Sequence, residues 1–219
     1  MFNSKKSHAY LLKILLLLFC ASTVLFAAKV DKIISKVQKK YQSTKTIRID
    51  FKETSRFSLT GTETQIDATL LMEGKDKFRL ESEDQVLVNN GETFWRYNKL
   101  DSQVLVDYAK KNDQDVMLNE FLFDLKDHYF GQVIDEIKGE KGKKYLIKLT
   151  PKPSEQSIFT TVKIWVRDKT WEIDRLVYRD YNDNETEYVI ERTAFNPELN
   201  ESIFTFTPPE GIQVIDLRF

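Results

Sequence analysis

The sequence is poor in the residue types on which most enzymatic and metal chemistry depends. Its 219 residues hold one cysteine, Cys20, and two histidines, His8 and His128. One thiol cannot close an intrachain disulfide, and one Cys with two His cannot fill a Cys/His zinc site. No metal site and no cofactor are therefore expected. Charge of one sign is also lacking: 33 Lys and Arg face 34 Asp and Glu, for a net −1. Without a basic excess there is no counterion-release drive toward nucleic acid. A hydrophobic fraction of 41% with 12% aromatics excludes a disordered chain, and the length suits a single domain with a sizeable core.

The N-terminus departs from this average. Lys5, Lys6 and Lys13 precede an apolar run from Ile14 to Phe26, and Ala27-Ala28 offers small residues for cleavage. This reads as a signal peptide over 1–28, with an uncleaved anchor as the alternative. Cys20 follows Leu17-Leu18-Phe19, an arrangement close to a lipoprotein signal, but the large Phe19 and the apolar residues beyond favour ordinary filler of the apolar run. Removing 1–28 takes away three lysines, His8 and the only cysteine, and shifts the net charge to −4. The expected product is a single exported domain over 29–219 with no thiol, and a monomer.

Past residue 28 the periodicity is first helical, then strand-like. Val30, Ile33, Ile34, Val37 and Tyr41 follow the spacing of one helix face. From Ile47 the period becomes two: Ile47, Ile49 and Phe51 alternate with Arg48, Asp50 and Lys52. Ile66, Ala68, Leu70 and Met72 repeat the pattern, as do Phe78 and Leu80. Asn90-Gly91 marks a tight turn before Phe94-Trp95-Arg96-Tyr97. Met117, Phe121 and Leu125 recur at helical spacing and predict a second, apolar-faced helix between two groups of strands. Strands then resume over 132–138, 143–150, 160–167, 172–179 and 185–193, followed by a tail containing Phe204 to Gly211 and a short apolar segment, 212–217. About eleven strands joined by short turns imply a mainly β protein with a few helices. Its architecture is a strongly curved antiparallel sheet, or unclosed barrel, with helices lying in its mouth.

Catalytic patterns are absent. A Ser-His-Asp triad would have to use His128, and no Gly-x-Ser-x-Gly elbow, Walker loop or dinucleotide fingerprint occurs. Carboxylates abound, but mostly at the solvent positions of strands, so no enzyme is expected. What remains is an apolar lining. The alternation assigns Ile49, Phe51, Ile66, Ala68, Leu70, Phe78, Leu80, Trp95 and Tyr97 to the covered side, with Met117, Phe121 and Leu125 on the lid. Filled core and ligand cavity are equally compatible with this pattern.

Four segments carry a family resemblance: Phe204-Thr205-Phe206-Thr207-Pro208-Pro209-Glu210-Gly211 with Val214 and Asp216, Asn90-Gly91-Glu92-Thr93-Phe94-Trp95-Arg96-Tyr97-Asn98, Ile49-Asp50-Phe51-Lys52-Glu53, and Leu149-Thr150-Pro151-Lys152. In order and spacing the chain resembles the LolA-type periplasmic lipoprotein carriers. The resemblance implies an unclosed barrel with a helical lid and a non-enzymatic role. Such carriers take acylated lipoproteins from an inner-membrane ABC transporter and pass them to an outer-membrane receptor. It implies Phe78 as a candidate transporter contact. It also implies an Arg-Pro latch for the lid, which this chain lacks: the stretch Glu73 to Phe78 offers only Lys75 and Lys77, without arginine's planar fork. A membrane-anchored receptor of the same fold and a periplasmic lipid-binding sensor are the alternative readings.

Overall fold

The computed structural model describes residues 29–111, 121–139, 142–153 and 157–218. The signal-peptide reading of 1–28 and the lid position Met117 lie outside them.

Helix α1 covers residues 29–42, and its predicted apolar stripe, Val30, Ile33, Ile34, Val37 and Tyr41, is buried throughout. Twelve strands follow, all in one sheet. They are β1 (Thr46–Arg56), β2 (Glu63–Glu73), β3 (Lys77–Ser82), β4 (Gln85–Asn90), β5 (Thr93–Asn98) and β6 (Gln103–Tyr108), then β7 (Tyr129–Gly139), β8 (Gly142–Pro151), β9 (Phe159–Arg167), β10 (Ile173–Asp180), β11 (Glu185–Phe195) and β12 (Gln213–Asp216). Their order is β12-β6-β5-β4-β3-β2-β1-β11-β10-β9-β8-β7, so two meanders join where β1 meets β11, and the sheet does not close. The twelfth strand is the tail segment, which the sequence showed only as short and apolar. It returns parallel to β6, with Val214 opposite Val104.

Short turns set these registers. Asn90 Oδ1 accepts the N–H groups of Glu92 and Thr93, and Gly91 takes the positive φ that the β4–β5 hairpin requires. Curvature comes from irregularities in the ladders, at Asp50/Phe51, Ile173/Arg175, Arg179/Asp180 and Val133/Asp135. Each inserts extra twist and bends its strand.

One core fills the concave side of the curved sheet. Ile47, Ile49 and Phe51 stand beside Met72, Leu70 and Ala68, and the pairing carries this face on to Phe78 and Leu80. Helix α1 lies across it so closely at Gly131 that a Cβ there would stand 2.5 Å from Ile34 Cδ1 and 3.0 Å from Val30 Cγ2. Lys29 at its start pairs with Glu136 on β7, and Tyr41 at its end accepts the Ile173 N–H in its hydroxyl, 3.2 Å away. Burial pushes the Tyr41 phenol well above its ordinary pKa.

The expected second helix is divided. Residues 121–123 are helical (α2), the chain breaks at Asp124, and Leu125–His128 forms one further turn (α3). Both of its described lid positions, Phe121 and Leu125, are buried in the core.

Candidate functional site

The register sorts the expected lining residues by face. Ile49 opposes Leu70, Leu70 opposes Leu80, and Phe51 opposes Ala68, so these five share the concave side. Ile66 joins them through its pairing with Glu53, two residues beyond Phe51, and it is half-buried near the strand ends. Trp95 and Tyr97 do not. Trp95 pairs with Val88, and Val88 with Arg79, whose own partner is Leu71, on the opposite side from Leu70. Tyr97 likewise pairs with Val86 and Val104. The expectation for these two residues fails because β4 and β5 are apolar on both faces, so alternation alone does not say which face is concave. It is Phe94, opposite Asn89 and hence in line with Phe78, that points inward.

The convex face of this half has its own cover. Val86, Val88, Val104 and Val106 are buried there, and the turn Glu201–Phe204 packs on β3 and β4. Arg79 Nη1 reaches the Ile203 carbonyl at 3.5 Å, Phe204 is buried, and Phe206 lies 5.6 Å from Tyr97 between ring centroids. Phe78, on the concave side, is buried against Phe94, with ring centroids 6.2 Å apart.

On the concave side, α1 and the segment 121–128 close over the sheet. The void left between Tyr41, Ile49, Phe121, Leu122, Ile173, Leu176 and Ile190 is about 10 Å³, room for about one water. Ligand pockets usually measure roughly 300–1,000 Å³. At this place the side chains of Tyr41, Phe121 and Leu122 fill the concavity.

Polar contacts gather at the break in the lid. The amide nitrogens of Gln38 and Gln42, one turn apart on α1, both donate to the Phe123 carbonyl, at 2.7 and 2.9 Å. Asp124 makes no side-chain cap on α3, and its carboxylate pairs instead with Lys75 Nζ at 2.6 Å, from the β2–β3 turn. These four residues meet at the lid break, beside an open polar groove of about 630 Å³ lined in part by Gln42, Lys45, Glu73, Lys75 and Lys77. Lys75 is identifiable in the sequence as a cation in the latch region. Gln38 and Gln42 are not, since two glutamines four apart carry no signal until their shared acceptor is in place.

Toward the free ends of β1 and β11 the concave lining becomes mixed. Phe51, Tyr188, Tyr178 and Phe159 form a row of rings with centroids 5.5, 6.1 and 4.5 Å apart, and Phe121 continues it at 6.2 Å from Phe159. Glu53 sits beside this row, accepting from Ser55 Oγ at 3.3 Å. Burial pushes its carboxyl above the usual range, against the opposing pull of hydrogen bonds from Ser55 and Tyr188. Among the described residues no group of three or more His, Cys, Asp or Glu is placed to hold a metal ion, and no helix is long and apolar enough to cross a membrane. His128 lies at the end of α3, where its carbonyl accepts the Lys152 N–H.

Residues 42–207 match the family model described as outer membrane lipoprotein carrier protein LolA. The chain belongs to the LolA family. An uncharacterized protein of Methanocaldococcus jannaschii is 24% identical over 214 residues, which is 92% of this chain and 60% of that protein. An outer-membrane lipoprotein carrier protein of Histophilus somni is 24% identical over 144 residues, 64% of this chain and 66% of that one. The chain thus spans about two thirds or less of the length of these two relatives. Among solved structures, an uncharacterized conserved protein from Thermus thermophilus shares the fold with a TM-score of 0.58 at 13% identity, over 86% of this chain and 99% of that one. The match to a LolA-type fold agrees with the unclosed, lidded sheet described above.

Proposed function

We propose that the protein is a non-enzymatic periplasmic carrier that shields the acyl chains of lipoproteins between the inner and outer membranes. The observation that carries this reading is the covered concave face: an apolar surface whose cover includes, beside α1, a separate segment, 121–128, tied at its break by two amides on one carbonyl and one ion pair. At its end the segment is tied by Lys152, which donates to the Lys126 and His128 carbonyls. Acyl chains need only an apolar lining of sufficient extent, at about 0.8 kcal/mol per buried methylene. Replacing Phe121, Leu122 and Leu125 by such chains exchanges one apolar filling for another. That exchange lets a carrier close when empty, load, and release again. Family membership supports lipoproteins as the cargo, an ABC transporter as the donor and an outer-membrane receptor as the acceptor.

The test compares the two faces of the sheet. Leu80 is half-buried on the concave side, whereas Trp95 is half-buried on the convex side. Leu80→Glu should abolish co-purification of acylated lipoprotein, read by mass spectrometry of bound lipopeptides, because an unpaired charge in an apolar site costs several kcal/mol. Trp95→Glu should leave loading intact. Equal loading of both variants, or wild-type protein that carries no acylated species, refutes the carrier reading. Depletion that leaves outer-membrane lipoproteins correctly placed would turn the assignment toward a sensor.

A further inference from the structure

Four of the large apolar side chains that the fold leaves in solvent stand on neighbouring strand ends at one end of the sheet. Leu59 is 96% exposed, Tyr181 73%, Ile158 63% and Phe57 43%. They come from the β1–β2 and β10–β11 connections and, for Ile158, from the entry to β9, which the strand order brings side by side. Ser58 N–H donates to Asn184 Oδ1 at 3.0 Å, tying the first two tips together. Phe159 stands opposite Asp180, so Ile158 falls beside Tyr181.

We infer that this end is a membrane-docking tip that rests in the interfacial layer of a phospholipid bilayer. The tip's backbone is largely self-satisfied: Gly61 N–H donates to Phe57 O, Phe57 N–H to Thr62 O, and Asp180 Oδ1 accepts from Asn182 and Asn184. Apolar side chains on a hydrogen-bonded turn enter an interface at little polar cost. Tyr181, with an apolar ring and a polar tip, suits that depth. The charges behind the tip are paired with one another, Arg56 with Glu63 and Glu185, and Arg179 with Glu185. The attraction is therefore apolar and independent of anionic lipid. From this end of the sheet the row of rings from Phe51 to Phe121 runs to the lid, which would let the tip serve as a port for cargo. This use of the tip as a port rests on the carrier reading; docking itself does not.

The experiment is flotation of the exported, purified protein with phosphatidylcholine vesicles. Wild-type protein should co-float, with little change between low and high salt. Leu59→Glu and Tyr181→Glu should each lower vesicle partitioning roughly tenfold or more, the loss of one buried apolar side chain plus the insertion of a charge. Both positions are exposed, so far-UV circular dichroism should be unchanged. Wild-type protein that ignores the vesicles, floats as well after Leu59→Glu, or binds only anionic vesicles at low salt overturns the proposal. A tip-dependent crosslink to an envelope protein in the absence of vesicle binding also overturns it, in favour of a protein partner. Failure of docking with lipoprotein loading intact refutes the tip alone; loss of loading with docking intact refutes the carrier reading alone.

Discussion

The shared acceptor at Phe123 couples two glutamines one turn apart on α1. Removing Gln38 or Gln42 singly leaves the Phe123 carbonyl with one amide partner, at 2.9 or 2.7 Å. Each single Ala variant should then lose one net hydrogen bond, about 1 kcal/mol. Removing both strands a carbonyl among buried side chains, at a cost of about 1–3 kcal/mol for the group itself in addition to the lost bonds. The double variant should thus exceed the sum of the singles, a coupling of roughly 1 kcal/mol in a double-mutant cycle. Native-state hydrogen exchange of peptides spanning 121–130 measures this directly as the free energy of local opening. Relative to wild type, opening should rise roughly fivefold for each single variant and roughly a hundredfold for the double variant, since about 1.4 kcal/mol corresponds to tenfold. Strict additivity would show that the two amides do not share a buried acceptor. Exchange of this segment only through global unfolding would show that it is not a lid. Lys75→Ala should add little, about 0.5 kcal/mol or less, because the Lys75–Asp124 pair is largely solvated at the lysine end.

Three further outcomes follow from the packing. Gly131→Ala should destabilise the fold by about 1 kcal/mol in denaturant titration, and less in an Ile34→Val background, where the Cδ1 methyl standing 2.5 Å from the added Cβ is gone. Phe204→Ala should cost about 3 kcal/mol and expose the tail to protease, since this buried ring seals the convex face. Burial holds the Glu53 pKa above its ordinary 4.5, so the folded state binds its proton more tightly than the unfolded chain does. That destabilises the fold as pH rises from about the ordinary value through the raised one. Glu53→Gln should therefore gain stability relative to wild type at pH 7 and lose that advantage on titration below pH 4.5; an advantage that instead grows on acidification would refute the assignment.

Much of the architecture is legible in the sequence, and for one reason. Strand alternation is enforced wherever one face is wet, as in β1, where Ile47, Ile49 and Phe51 are buried between Arg48, Asp50 and Lys52. The same logic fails in β4 and β5, which are covered on both sides, so it places Trp95 and Tyr97 on the wrong face. The tail strand Gln213–Asp216 escapes it because four residues are too few for periodicity to register, and their pairing with β6 is parallel and remote in sequence. The spacing of Met117, Phe121 and Leu125 predicts a continuous helix, and no local signal announces the break at Asp124. Its side chain is engaged by Lys75, some fifty residues earlier.

By itself the sequence determined what the protein lacks and what its surfaces are made of. Scarce thiols and imidazoles, balanced charge and period-two apolar strands confine it to a β-rich body whose apolar surface is its principal asset. Composition and local periodicity need no knowledge of distant neighbours, so these properties are fixed residue by residue. Only the tertiary structure decided which apolar side faces the lid, which carbonyl holds that lid shut, and which exposed tips stand together. Each depends on strand register and on residues dozens to more than a hundred positions apart, brought together by the order in which twelve strands pair.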